Sequence, residues 1–390
     1  MKLRTNWIQE RLGLLCFLAL FPGFFFYYSL LALGLIPSLP FGYFGAACAV
    51  SVVLLAPAHA EQVLLTRKVN LHSIFVFLLL LNFSTAIVFG YYFNTGRALT
   101  MWHAQSILQF AACYLVLRSA DFSRTRAKTI LLFCCAAMGG IVAINIDGGQ
   151  FYLRLKADDS VSIPTYQGFA LSLAVTFFMT ASIIKTIYAR FAFHAIAVML
   201  LYFNGARTEF AGYVLFFITM ETLHARSKST VAIISIAAFM AAILFFFASD
   251  GFASGNRIAN LLSLSSDNSF NVRNQIFLDG IKDISNSPFI GSYGSYSPGW
   301  YIHNAFSAWV DVGVMGPILI LAIFASLIMK TSRLHIYGNR DMTTCAAAGM
   351  IVCSAAILAS SAYFMSPIFG AVCGYCSALR FDKPNYHVAT

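Results

Sequence analysis

The chain has 390 residues, 59% of them hydrophobic and only 10% charged, with a formal net charge of +10. Ordinary soluble domains carry about 25% charged residues, so this composition excludes a water-soluble globular protein and indicates a polytopic membrane protein. The apolar runs last roughly 15–23 residues without dyad alternation, which is the pattern of helices crossing a hydrocarbon core of about 30 Å and not of a β-barrel.

In chain order, the basic stretch MKLRTNWIQER leads into an apolar run at 12–33. That run is too long for a signal-peptide core and has no small-residue cleavage site behind it, so it reads as a retained anchor. Further apolar runs fall at about 39–57, 71–93, 101–117, 129–146, 164–184, 191–203, 209–223, 231–248, 303–329, 342–363 and 366–379. The expected fold is therefore all-α, with about twelve transmembrane helices; the seventh, eighth and twelfth are short. Residues 1–248 hold spans one to nine, 249–302 form the one large outer loop, and 303–390 hold spans ten to twelve and a short tail.

With both termini in the cytoplasm, 18 of the 25 basic residues fall on the cytoplasmic side, as the positive-inside rule requires. Most of the net charge is then topology, and nucleic acid is not an expected partner. Seven basic residues lie outside against the bias: Arg97, Arg154, Lys156, Arg207, Arg257, Arg273 and Lys282. The nine cysteines all lie in apolar segments. No disulfide framework is expected, and Cys373-Gly-Tyr-Cys376 lacks the context of a redox motif.

The outer loop contains NVRNQIFLDGIKDISNSPFIGSYG, whose Val272, Ile276, Phe277, Gly280, Ile281 and Ile284 form one stripe of a short amphipathic helix. Asn271 is its expected cap, Asn286 to Pro288 its end, and Arg273 sits in its first turn. Gly291, Gly294 and Pro298 then predict turns back to the membrane. Asn204-Gly205-Ala206-Arg207-Thr208-Glu209 reads as a tight outer turn, with Arg207 at the mouth of the bundle. His303 and Asn304 head the tenth span, and Asp311 lies roughly 12 Å deeper at about 1.5 Å per residue, where it needs a buried partner or a watery cavity.

Each feature also has a plain structural reading. Arg207 can snorkel to lipid phosphates or pair with Glu209. Arg273 can be a solvated face residue, and His303 an interfacial polar residue. Gly313 and Gly316 read as close helix packing, and His194 as a satisfied packing residue. The outer aromatics Tyr293, Tyr296, Trp300 and Tyr301 suit either sugar stacking or an interfacial belt. Arg154 and Lys156 can meet headgroups or pair with Asp158 and Asp159.

Taken together, two arginines and a histidine on one face suit an anionic diphosphate. Guanidinium binds phosphate oxygens two at a time, and imidazole accepts a proton near neutral pH. Those parts fit glycosyl transfer from a lipid diphosphate, with fixed cations stabilising the leaving group. No Asp-x-Asp or His/Cys cluster appears on the outer face, so neither a metal nor another cofactor is expected.

The order of NGARTEFAG, VRNQIFLDGIKDISNSPFIGSYG and YIHNAFSAWVDVGVMG over 204–320 resembles the O-antigen ligase/polymerase superfamily of bacterial inner membranes. The resemblance implies a glycosyltransferase acting at the periplasmic face on undecaprenyl-diphosphate-linked glycans. It implies that Arg207 and Arg273 hold the diphosphate and that His303 activates the acceptor hydroxyl. Around these, Arg257, Asn304, Tyr293, Tyr301, Arg97 and Glu209 are the expected substrate-binding residues. Implied partners are the lipid-linked glycan, membrane lipids and, optionally, a chain-length regulator protein. Within the superfamily, the HNAFSAWVDVGVMGP texture is more similar to repeat-unit polymerases of O-antigen or capsule than to ligases, which pass the finished glycan to lipid A–core. A lipid-linked oligosaccharide transporter is the alternative of another class, although no repeat relates the two halves.

Overall fold

A computed structural model describes residues 2–39, 42–66, 69–92, 96–147, 149–151, 153, 166–225, 268–337 and 341–379. It is an all-α bundle. The first span begins as α1 (Lys2–Leu18), passes through a π-helical turn at Ala19–Gly23 and continues as α2 (Phe24–Ala32). Then follow α3 (Tyr43–Thr66), α4 (Leu71–Tyr92), α5 (Arg97–Ser119), α6 (Thr125–Ile144), α7 (Tyr166–Ile183), α8 (Ile187–Asn204) and α9 (Arg207–His224). After the loop come α10 (Asn268–Asn286), the short α11 (Ser307–Val312), α12 (Met315–Tyr337), α13 (Met342–Ser360) and α14 (Pro367–Ala378). Among the described residues the one strand pairing is a two-residue hairpin, Ile146–Asp147 against Gln150–Phe151.

Among the described residues, eight helices are long and apolar enough to cross a membrane: Ile8–Ala32, Tyr43–Leu64, Leu71–Tyr92, Thr125–Ile144, Tyr166–Ile183, Ile187–Asn204, Met315–Tyr337 and Met342–Ser360. The expected fourth, eighth and twelfth spans exist as helices α5, α9 and α14, but these are more polar or shorter. The expected ninth span, 231–248, lies outside the described residues, as do Arg154, Lys156, Asp158, Asp159 and Arg257. All nine cysteines are buried, and none is in a disulfide.

Two sequence expectations need correction. Span ten is not continuous from 303. His303 lies in the loop, α11 is six residues long, and the spanning helix begins only at Met315. The break is at Gly313, whose φ of +69° is left-handed and whose Cβ position would meet the Phe289 backbone oxygen at 2.1 Å. Only glycine fits there. The amphipathic helix starts at Asn268, so residue 271 is inside it and Arg273 sits in its second turn. The turn at Gly205 is as expected, with φ of +76° closing α8.

Packing follows from small residues and paired polar groups. α14 lies along α5 because Gly370 and Gly374 carry no side chain; a Cβ there would meet the Phe110 and Tyr114 backbone oxygens at 2.4 and 2.1 Å. Such small-residue contacts let helices approach in lipid, where burial alone gives no drive. Pro22 breaks the hydrogen-bond ladder of the first span. The Tyr43 hydroxyl donates to the Ala19 carbonyl (3.0 Å), and the Ser172 hydroxyl donates to that of Phe21. Side chains thus satisfy backbone groups that water cannot reach.

The largest fully buried side chain is Arg190 in α8. Its guanidinium grips Glu221 of α9 with two nitrogens, Nη2 donating to Oε2 at 2.7 Å, and its Nη1 donates to the Ile184 carbonyl at 3.1 Å. His194 lies one turn away, with Nε2 3.4 Å from Glu221 Oε1 and Nδ1 3.1 Å from the Tyr213 hydroxyl. His194 is buried as expected of a packing residue, but only its Nδ1 is hydrogen-bonded among the described residues, so it is not the fully satisfied one expected. Removing one partner of a buried pair strands the other charge and costs about 3–5 kcal/mol. Glu221→Ala and Arg190→Ala are each expected to lower the melting temperature sharply in detergent. The apolar double replacement Arg190→Met/Glu221→Leu should cost less than either single change. Additive losses in the double variant would show that the two charges act independently.

Candidate functional site

The end of the bundle that carries the loop before α11 is organised around the buried carboxylate of Asp311, which is 1% exposed. The Tyr296 hydroxyl donates to its two oxygens at 2.8 and 2.7 Å, and the Tyr363 hydroxyl donates to Oδ2 at 2.5 Å. The Tyr296 oxygen is also 3.1 Å from His103 Nε2, while His103 Nδ1 is 2.8 Å from the Tyr293 hydroxyl. His103 is fully buried in α5 and stacks on Tyr363, with ring centroids 5.4 Å apart and planes 5° apart. A buried carboxylate needs such donors, so Asp311 has the partner expected from its position. The tyrosines come from the loop and from the connection between α13 and α14, so the network latches that loop onto the bundle.

Backbone contacts complete the latch. The Pro288 carbonyl accepts from Trp309 Nε1 (2.8 Å) and from the Val314 backbone N–H (3.0 Å). The Ser292 N–H donates to the Val310 carbonyl at 2.6 Å. Next along the chain, Ile302 is 3% exposed and packs over Gly280 of α10, where any Cβ would fall within 2.2 Å of its side chain. Gly280 and Arg273 are seven residues apart, close to two turns, and so share one face of α10.

That shared face brings the expected site residues together. The Arg273 charge acts on His303, on Tyr301 and on Glu209. The His303 ring lies against Tyr301 (centroids 4.5 Å apart), and Tyr301 lies against Trp102 (5.2 Å) and Tyr363 (5.1 Å). Arg207 is the first residue of α9, two before Glu209. Burial and the neighbouring Arg273 guanidinium both hold the His303 imidazole below its ordinary pKa of 6.5. The ring is therefore neutral at pH 7 and able to accept a proton.

Tyr301 and Glu209 also line a cavity of about 420 Å³. Its lining mixes apolar residues, Phe21, Phe24, Phe44, Leu171 and Ile368 among them, with polar ones such as Gln109, Gln167, Glu209 and Tyr301. Such a mixed lining suits an amphiphilic ligand.

Other expected residues have different places. Arg97 is exposed in the first turn of α5, five residues before Trp102. Asn304 is a turn residue: its Oδ1 accepts from the Phe306 N–H (2.9 Å), and its carbonyl accepts from the Ser307 hydroxyl (2.7 Å), shaping the start of α11. Tyr293 is committed to His103, and Tyr296 to Asp311, so neither hydroxyl is left for sugar. His103 and Tyr363 were not among the expected residues. Their hydrogen-bond partners are up to 193 positions away in the chain, and no local spacing marks them. Compared with known proteins, the chain matches no family model and no curated protein.

Two measurements follow from this geometry. Titration of His303 by nuclear magnetic resonance should give a pKa below 6.5, and Arg273→Gln should raise it; a value insensitive to that change would place the two groups apart. Asp311→Ala leaves two tyrosine hydroxyls without their acceptor, a loss of about 1–3 kcal/mol for each. Hydrogen exchange should quicken across 293–301 while α12 and α13 keep their protection. Unchanged exchange in that loop would mean that the carboxylate does not hold it.

Proposed function

We propose that this chain is a membrane glycosyltransferase that takes its glycan from a lipid diphosphate at the outer face of the bundle. The observation that supports the reading best is that Arg273, His303, Tyr301 and Glu209 share one neighbourhood beside a cavity of mixed apolar and polar lining. Its apolar residues take the proximal lipid, and its polar residues take the headgroup and sugar. Arg273, with Arg207 from the start of α9, holds the diphosphate.

In the reaction, an acceptor hydroxyl attacks the anomeric carbon of the donor glycan. The new C–O bond forms as the bond from that carbon to the phosphate oxygen breaks. The diphosphate leaves with the electron pair, and the proton of the hydroxyl passes to neutral His303. Negative charge grows on the leaving diphosphate, so cations fixed in place favour the transition state over the ground state. Tyr301, whose ring packs against Trp102 and His303, orients the imidazole. Within this class we favour the polymerase reading, in which the acceptor is another lipid-linked repeat unit and the site faces the periplasm of a bacterial inner membrane.

A strain lacking the gene, complemented with variants, tests this. His303→Ala, Arg273→Ala and Arg207→Ala should each reduce chain extension roughly 100-fold or more, the usual effect of losing a general base or a charge-stabilising group. Lipid A–core bearing a single repeat unit supports polymerase action. Bare core with long chains left on the lipid carrier points to ligation instead. Repeat units retained on the cytoplasmic leaflet would overturn the transferase reading in favour of transport.

A further inference from the structure

The end of the bundle opposite the loop carries a second cluster of polar groups, unconnected with the outer site. Its centre is Ser377, near the end of α14. The Ser377 hydroxyl is 2.8 Å from His72 Nε2 of α4 and 3.3 Å from the Tyr114 hydroxyl of α5. The Tyr114 hydroxyl in turn donates to Ser73 Oγ at 2.9 Å and accepts from Arg118 Nη1 at 3.0 Å. From α12, Lys330 Nζ donates to the Cys376 carbonyl at 2.7 Å and reaches the Ser377 carbonyl at 3.5 Å. His59 of α3 joins from the side, its ring 6.3 Å from that of Tyr114 and its Nδ1 buried with no hydrogen-bond partner among the described residues.

This cluster is cationic, and among the described residues no carboxylate pairs with it. Among the described residues, Arg124 and Arg190 rest on carboxylates, whereas Arg118 and Lys330 form no ion pair. Arg118 and Lys330 repel one another, and the Arg118 charge also reaches His59 and His72. Both cations are half-buried. Only one Arg118 nitrogen is used within the described protein, which leaves an edge of its fork open. Like charges held together in a low dielectric are unfavourable unless an anion completes the set. A phosphate does so with the right geometry, because guanidinium binds two of its oxygens and ammonium adds a point charge. Basic pockets between helices at the cytoplasmic edge of a membrane take phosphate headgroups in this way.

We infer that the pocket formed by Arg118, Lys330, Tyr114 and His59 binds the phosphate of an anionic lipid headgroup at the end of the bundle away from the transfer site. Bound there, the lipid ties α5 to α12 and α14.

The full chain, purified in mild detergent with phosphatidylglycerol and examined by native mass spectrometry, tests this. The wild-type protein should retain one more phosphatidylglycerol than Arg118→Gln, Lys330→Gln or the double variant, and Lys330→Arg should keep it. Phosphatidylglycerol should raise the melting temperature of the wild type, and the double variant should lose that gain; phosphatidylcholine should give less. Equal lipid retention and equal melting shifts in wild type and double variant would overturn the assignment. So would a full melting shift from inorganic phosphate without lipid, which would mark the ligand as a soluble anion.

Discussion

The arrangement of the loop end of the bundle depends on one buried carboxylate. Asp311 cannot remain in the protein interior without donors, and its donors are tyrosines from two other parts of the chain. Satisfying it brings together the loop through Tyr296, the connection before α14 through Tyr363, and α5 through His103. Once these are fixed, Tyr301 has aromatic rings on two sides and His303 rests on Tyr301. The position of the imidazole is therefore a consequence of how an acid 8 residues later in the sequence meets its hydrogen-bond requirement. A loop without regular structure is held by buried polar bonds in place of its own secondary structure.

The same economy applies elsewhere in the bundle. Hydrocarbon surroundings offer no water, so each polar group inside the bundle must find a protein partner. The Arg190–Glu221 pair meets that condition with a matched acid, and the Pro22 break meets it with the hydroxyls of Tyr43 and Ser172. The cavity lies beside that break, where Leu20 and Phe21 form part of its lining. The cationic cluster around Ser377 is the contrasting case: among the described residues no carboxylate balances its charge, and His59 Nδ1 has no hydrogen-bond partner.

Much of this is legible in the sequence because it rests on local signals. Composition alone indicates an all-α membrane bundle. The stripe over 272–284 marks the amphipathic helix, and Gly205 marks the turn between α8 and α9. Asp311 in an apolar run announces a buried partner. What stays hidden is set by long-range pairing. Tyr296 looks like an aromatic free to stack on sugar until Asp311 is placed beside it, and His103 has no neighbour in the sequence that marks it. The tenth span reads as continuous because WVDVGVMG is apolar enough to span. Only the approach of the Phe289 backbone explains why Gly313 must take a left-handed conformation and end α11. The cap at 271 fails for a simpler reason: asparagines occur at 268, 271 and 274, and the helix begins at the first.

The proposed chemistry gives each outer residue a single role. Cations meet the leaving diphosphate, a neutral imidazole takes the proton of the incoming hydroxyl, and stacked aromatics orient that imidazole. A transporter would use similar cations without breaking a bond, so bond cleavage is what separates the two. The most direct measurement uses the purified chain in proteoliposomes supplied with a lipid-diphosphate-linked repeat unit, following free lipid diphosphate over time. The account predicts release of free lipid diphosphate in step with lengthening glycan, and its loss in His303→Gln. Lipid-linked units that cross the bilayer intact, with no diphosphate released, would contradict it.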